Sequence, residues 1–87
     1  MNVYFLDTSA LVKRYHWEQG SEGVDALFAE PDRHLIISDL SIIELGSALT
    51  KKVREREITP EKYHRALGLF CQSIITETIA VKTLARL

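Results

Sequence analysis

Two carboxylates stand out among the 87 residues for the places they occupy. Asp7 follows directly on the apolar run Val3-Tyr4-Phe5-Leu6. It would therefore leave the C-terminal lip of a buried strand, where ligands collect in parallel α/β folds. Thr8 and Ser9 come next and can orient its oxygens or cap the following helix. The plainer use of Asp7 is as N-cap of a helix running from Ala10 to Tyr15, a common job for aspartate. Glu44 has two readings as well. Ser41-Ile42-Ile43-Glu44 has the spacing of a capping box, in which the glutamate only reaches back to a backbone N–H. If Ser38 or Asp39 caps that helix instead, Glu44 lies one to two turns in, on a face with Ser41 and Ala48 beside the apolar stripe. A carboxylate there is costly unless a cation or a partner neutralises it.

Two converging carboxylates with no thiolate or imidazole beside them suit a hard, oxygen-seeking ion, Mg²⁺ or Mn²⁺, rather than zinc. His16, His34 and His64 are scattered without metal-ligand spacing and read as surface residues. Cys71 reads as an inert thiol next to the core, and as the lone cysteine it supports no internal disulfide framework. Asp39 is a possible third acid whose simpler use is capping. Lys51 and Lys52 belong to a basic run that is either a phosphate-facing patch or an ordinary charged helix end. Lys13 and Arg14, just after the Asp7 turn, are better placed to meet a phosphate backbone.

These side chains need a scaffold, and the apolar pattern supplies one. Val3–Leu6 and Leu35–Ile37 are short continuous apolar runs, as in strands buried on both faces of a parallel sheet. Leu11 and Tyr15 share one helical face. Val24, Leu27 and Phe28 mark a second helix after Gly20-Ser21, closed by Pro31-Asp32. Ile42, Leu45, Leu49 and Val53 stripe a third, with basic residues at its favourable C-terminal end. Thr59-Pro60 starts a fourth, with Tyr63, Ala66, Leu67 and Phe70 toward the core. The alternation of Ile75, Glu77 and Ile79 with Thr76 and Thr78 predicts a third strand over Ser73–Ile79, followed by a helix over Ala80–Leu87, in preference to the alternative that the whole stretch continues the fourth helix. Strands alternating with helices give an α/β fold: about three parallel strands and four to five helices, covering both sheet faces.

The bulk composition excludes several classes. A hydrophobic fraction of 46% with 26% charged residues is that of an ordinary globular domain. The 11 basic and 12 acidic side chains leave a net charge of −1, so any nucleic-acid contact must come from local patches. No segment reaches the roughly 20 apolar residues a membrane span requires. The first residues lack a signal peptide's basic start, so a cytoplasmic location is expected.

The segments Phe5-Leu6-Asp7-Thr8-Ser9-Ala10-Leu11-Val12-Lys13-Arg14-Tyr15, Glu18-x-Gly20-Ser21 and Ile37-Ser38-Asp39-Leu40-Ser41-Ile42-Ile43-Glu44-Leu45 resemble PIN domains, in particular the VapC-type toxin ribonucleases of toxin–antitoxin pairs. The resemblance spans residues 1–87 and corresponds to the N-terminal two-thirds or so of that family's domain. It implies a parallel sheet between helices, Asp7 and Glu44 as the first and second acidic ligands of Mg²⁺ or Mn²⁺, and Ser9 as support for the aspartate. It also implies an RNA substrate, for which Lys13, Arg14, Lys51 and Lys52 are the possible contacts by position, and a small antitoxin that sets a basic side chain in the acidic groove. The family's later aspartates have no counterpart in these residues. The resemblance therefore implies a shortened domain, weak or inactive as a ribonuclease by itself, with Val3–Leu6 at an open sheet edge that favours homodimerisation. The competing reading is a non-catalytic interaction or dimerisation module of the same fold. A receiver-type phosphoacceptor needs an acidic neighbour that Asp7 lacks, and an Asp-x-Asp phosphatase is excluded by Ser9.

Overall fold

The computed structural model describes residues 1–83, and the order of elements is that of an α/β protein. Strand β1 (Asn2–Phe5) leads into helices α1 (Thr8–Tyr15) and α2 (Ser21–Ala29). Strand β2 (Arg33–Ser38) leads into α3 (Leu40–Arg54) and α4 (Pro60–Ile75), and β3 (Ile79–Lys82) follows. All three strands are parallel, in the order β1-β2-β3. The register sets Tyr4 beside Leu35 and Leu35 beside Ile79.

A strand order that advances in one direction has a consequence for layering. Crossovers between parallel strands are right-handed, so two taken in the same direction lay both helical pairs on the same face. The side chains agree. Tyr4, Leu6, Leu35, Ile37, Ile79 and Val81 join the single core with Leu11, Phe28, Leu45, Leu49 and Phe70, and α1 packs on α2, α3 and α4. Val3 and Phe5 alternate to the other face and are 51% and 77% exposed. The expectation of strands buried on both faces therefore holds for Leu35–Ile37 of β2, the central strand, but not for β1. Among the described residues β1 is an edge strand, and no helix covers the sheet's second face.

Local chemistry accounts for the helix ends. Thr59 caps α4 by accepting from the Lys62 N–H at 3.2 Å, with Pro60 in the first turn. Gly20 enters α2 at φ +96, a conformation that favours glycine. A Cβ at Gly20 would stand 2.8 Å from Cε of Lys13. The buried Ser21 that follows locks this turn, donating to the Lys13 carbonyl at 2.7 Å and accepting from the Glu18 N–H at 2.9 Å. α3 ends in a Schellman turn: Arg56 is left-handed at φ 59, and the N–H groups of Arg56 and Glu57 return to the carbonyls of Val53 and Lys52.

The end of the chain departs from the expectation. Residues 73–75 are the last turn of α4, which closes through Thr76 and a left-handed Glu77 at φ 61. Ile74 continues the helical stripe of Leu67 and Phe70 into the core, and that periodicity outweighs the two-residue alternation of the Ile/Thr pattern. The third strand starts only at Ile79. Ala80, Val81 and Lys82 belong to it rather than to a fifth helix, and residues 84–87 of that expected helix lie outside the described residues. Cys71 is exposed, not next to the core, because Phe70 takes the inward position. Among the described residues no helix is long and apolar enough to cross a membrane.

Candidate functional site

Beyond the C-terminal ends of β1 and β2 lies a cleft of about 460 Å³, bounded by Phe5, Leu6, Ile36 and Ile37 and by the polar groups of Asp7, Thr8, Ser9, Ser38, Ser41 and Glu44. Strand β1 delivers Asp7, and the β2–α3 turn delivers Ser38, Ser41 and Glu44. Parallel strands of similar length end side by side, so two acids 37 positions apart in the chain come to line one space.

Asp7 serves as the N-cap of α1. Its Oδ1 accepts the Ala10 N–H at 2.9 Å and the Ser9 hydroxyl at 3.0 Å. These two bonds, with the more distant positive charge of Lys13, hold its carboxyl below its ordinary pKa of 3.8, against a small opposing effect of burial. Both bonds fall on one oxygen, and Oδ2 takes part in neither. Capping and ligation are therefore compatible uses of the same carboxylate.

Glu44 is not part of a capping box. α3 starts at Leu40 with Asp39 at the N-cap position, so Ser41 is already inside the helix. One and a half turns in, Glu44 is exposed and accepts the Thr8 hydroxyl through Oε1 at 2.8 Å. Ser9 thus supports Asp7, whereas Thr8 ties Glu44 across to the first turn of α1. The Ser38 and Ser41 hydroxyls stand 3.4 Å apart. These two serines, and the apolar walls Phe5 and Ile36, were not singled out from sequence as site residues. A legible signal existed for the serines, as hydroxyls at a strand end and in the first turn of the next helix.

Three of the four expected cationic contacts are engaged elsewhere. Arg14 pairs with Asp25 at 2.8 Å and lies 4.3 Å above the Phe28 ring. Lys13 pairs with Glu18, and Lys52 bridges Glu18 and Glu57 at 3.6 and 3.1 Å. Lys51 is exposed on the last turn of α3. None of the four lines the cleft, and neither does Asp39. A helix-end charge network, tying the α1–α2 loop to the C-terminal part of α3, is the role visible for Lys13 and Lys52.

The donor set is wholly oxygen: two carboxylates and four hydroxyls. Such donors suit Mg²⁺ or Mn²⁺ by type. By number they are sparse, since no group of three or more His, Cys, Asp or Glu side chains able to hold a metal occurs among the described residues. If one hydrated cation bound here, Asp7 and Glu44 are the two acids that could hold it. The arrangement does not fit a pair of closely bridged ions. What fold and site define together is a parallel α/β protein with an acid- and hydroxyl-lined cleft at its strand ends. Neither a scan of protein-family models nor a search of curated proteins finds a match for this chain.

Proposed function

We propose that the chain is a PIN-type module that holds one Mg²⁺ or Mn²⁺ between Asp7 and Glu44 and acts on the phosphodiester backbone of RNA as a slow, cation-dependent endoribonuclease. The observation that carries this reading is the meeting of Asp7 and Glu44 in one cleft beyond the strand ends, each held by a hydroxyl from the same turn. A bound cation supplies charge stabilisation at a scissile phosphate and a more acidic water. The chain's own part is to keep two anionic oxygens fixed. Ser9 and the Ala10 N–H keep Asp7 ionised, Thr8 fixes the rotamer of Glu44, and Phe5 and Ile36 wall the cleft. Among the described residues no lysine or arginine lines this anionic cleft, which would repel a bare phosphate, so RNA binding here requires the cation. The same cleft suits a basic side chain from an antitoxin-like partner, which would compete with the cation.

With two carboxylates the turnover of this chain is expected to be low. That sparse set favours one competing reading, a non-catalytic interaction module of the same fold. Melting with and without Mn²⁺ separates the two. Stabilisation by the ion that disappears in Asp7→Asn and in Glu44→Gln supports the nuclease reading, and a melt indifferent to the ion supports the interaction module. Slow cleavage of single-stranded RNA in Mn²⁺, lost in Asp7→Ala and with chelator, then distinguishes an active module from one that only binds.

A further inference from the structure

Phe5 is 77% exposed, yet it belongs to the lining of the acidic cleft. The strand accounts for its position. Side chains alternate across β1, so Leu6 turns into the core while its neighbours turn to the uncovered face of the sheet. Asp7 is still extended, at φ −89 and ψ 175, and the alternation carries through it. Phe5 and Asp7 therefore stand on the same side of the chain, about 7 Å apart along it. Ile36 is the partner of Phe5 in the register and is 5% exposed, an apolar wall beside the ring. Trp17, the other exposed large aromatic, lies outside the cleft. The cleft thus combines two unlike parts: carboxylates with hydroxyls, and a bare phenyl ring with an aliphatic neighbour.

A nucleotide has the same two-part chemistry, an anionic phosphate and a flat base with apolar faces, one sugar apart. We propose that Phe5 is a platform on which one unpaired RNA base stacks while the adjoining phosphate meets the cation at Asp7 and Glu44, and that the cleft therefore prefers a purine at that position. This rests on the cation-dependent reading of the same cleft and adds to it the group that selects the nucleotide. Bases stack on aromatic side chains through faces that every base has, and the larger purine ring system covers more of the phenyl ring than a pyrimidine does. A base inside a helix has both faces taken by its neighbours, so the platform serves a base that is splayed out. A cleft of about 460 Å³ lies in the smaller part of the roughly 300–1,000 Å³ range of ligand sites, room for one nucleotide rather than a duplex. Stacking carries no net charge, so it adds affinity in a cleft whose carboxylates repel phosphate. It also gives Phe5 the burial that an aromatic ring gains from and that the described fold withholds.

Fluorescence anisotropy of the 87-residue chain with short labelled RNAs in Mn²⁺, read before cleavage sets in, tests this. The RNAs are uridine throughout, the same with a central adenine, and the same with a central abasic site. Wild type is expected to bind the adenine RNA about tenfold more tightly than the abasic one, with uridine between. Phe5→Ala is expected to bind all three alike, as weakly as wild type binds the abasic RNA, and Phe5→Trp to keep the order. Val3→Ala, at an exposed apolar position of β1 outside the cleft, is expected to match wild type. Phe5 is exposed, so its replacement should leave the fold intact, which circular dichroism melts check. Equal binding of the three RNAs by wild type overturns the proposal, and so does an order that survives Phe5→Ala. The rise in wild-type melting temperature with Mn²⁺ separates this inference from the reading beneath it. If the ion stabilises the chain but the three RNAs bind alike, only the base platform falls. If the ion neither stabilises the chain nor promotes RNA binding, the cation reading fails and the platform falls with it.

Discussion

Asp7 has two separable duties, and one substitution pair divides them. In Asp7→Ala the Ala10 N–H loses its 2.9 Å acceptor and Ser9 loses its 3.0 Å acceptor. Both groups are at the surface and can turn to water. The cost is therefore that of an ordinary N-cap, about 1 kcal/mol, which lowers the melting temperature of a domain this size by roughly 4–8 °C. Asparagine caps as well as aspartate does, so Asp7→Asn should stay within about 2 °C of wild type without metal. The second duty shows only when Mn²⁺ is added. At ten times its Kd the ion stabilises wild type by about 1.4 kcal/mol, a rise of roughly 6–11 °C. In Asp7→Asn that rise should vanish, because the neutral amide cannot hold a divalent cation. Differential scanning fluorimetry of the three proteins, with and without Mn²⁺, reads both effects. The reasoning fails if Asp7→Asn is as unstable as Asp7→Ala without metal, or if it keeps the wild-type rise with Mn²⁺.

Other consequences are as specific. Thr8→Val removes only the hydroxyl that Glu44 accepts at 2.8 Å; chemical denaturation should show a loss under about 1 kcal/mol, while Mn²⁺ affinity by calorimetry falls several-fold as Glu44 loses its fixed rotamer. Gly20→Ala combines φ +96 with a Cβ 2.8 Å from Lys13 Cε, and urea unfolding should show a loss of about 1–2 kcal/mol. Arg56→Gly removes a left-handed non-glycine residue from the end of α3 and should stabilise by roughly 1 kcal/mol in the same assay. Asp7 also shapes acid stability. Its folded pKa lies below the ordinary 3.8, so its contribution is fully present above that value and is lost as the pH falls through the lower, folded one. Acid titration of wild type followed by circular dichroism should therefore unfold more steeply below pH 3.8 than that of Asp7→Asn.

Much of this fold was legible because its elements carry independent local signals. Thr59-Pro60 fixed the start of α4, the stripe through Leu45 and Leu49 fixed the buried side of α3, and the apolar runs marked β1 and β2. The third strand was displaced because Ile75, Thr76 and Thr78 are β-branched and alternate, while the decisive feature was the left-handed turn at Glu77, which an acidic residue does not announce. The covering of a single sheet face was not legible either. It follows from strand order, a long-range property that no local window contains. At the site, strand-end position gave Asp7 and Glu44 as acids that could converge, and both line one cleft, but Thr8 holding Glu44 was not legible, since a hydroxyl beside a cap has several equally good partners nearby. Lys13 and Arg14 were assigned outward roles from their nearness to Asp7. The carboxylates that claim them, Glu18 and Asp25, lie on the α1–α2 loop and on α2, and their approach depends on how α1 packs on α2.

The most direct measurement is Mn²⁺ titration of the isotope-labelled chain followed by backbone NMR, because paramagnetic broadening locates the ion within about a nanometre without assuming any activity. Broadening should appear first at the amides of Asp7, Thr8, Ser9, Ser41 and Glu44, and should be lost from all of them in both Asp7→Asn and Glu44→Gln. Uniform broadening, broadening centred on other carboxylates, or a pattern unchanged by either substitution would mean that the two acids do not share a cation.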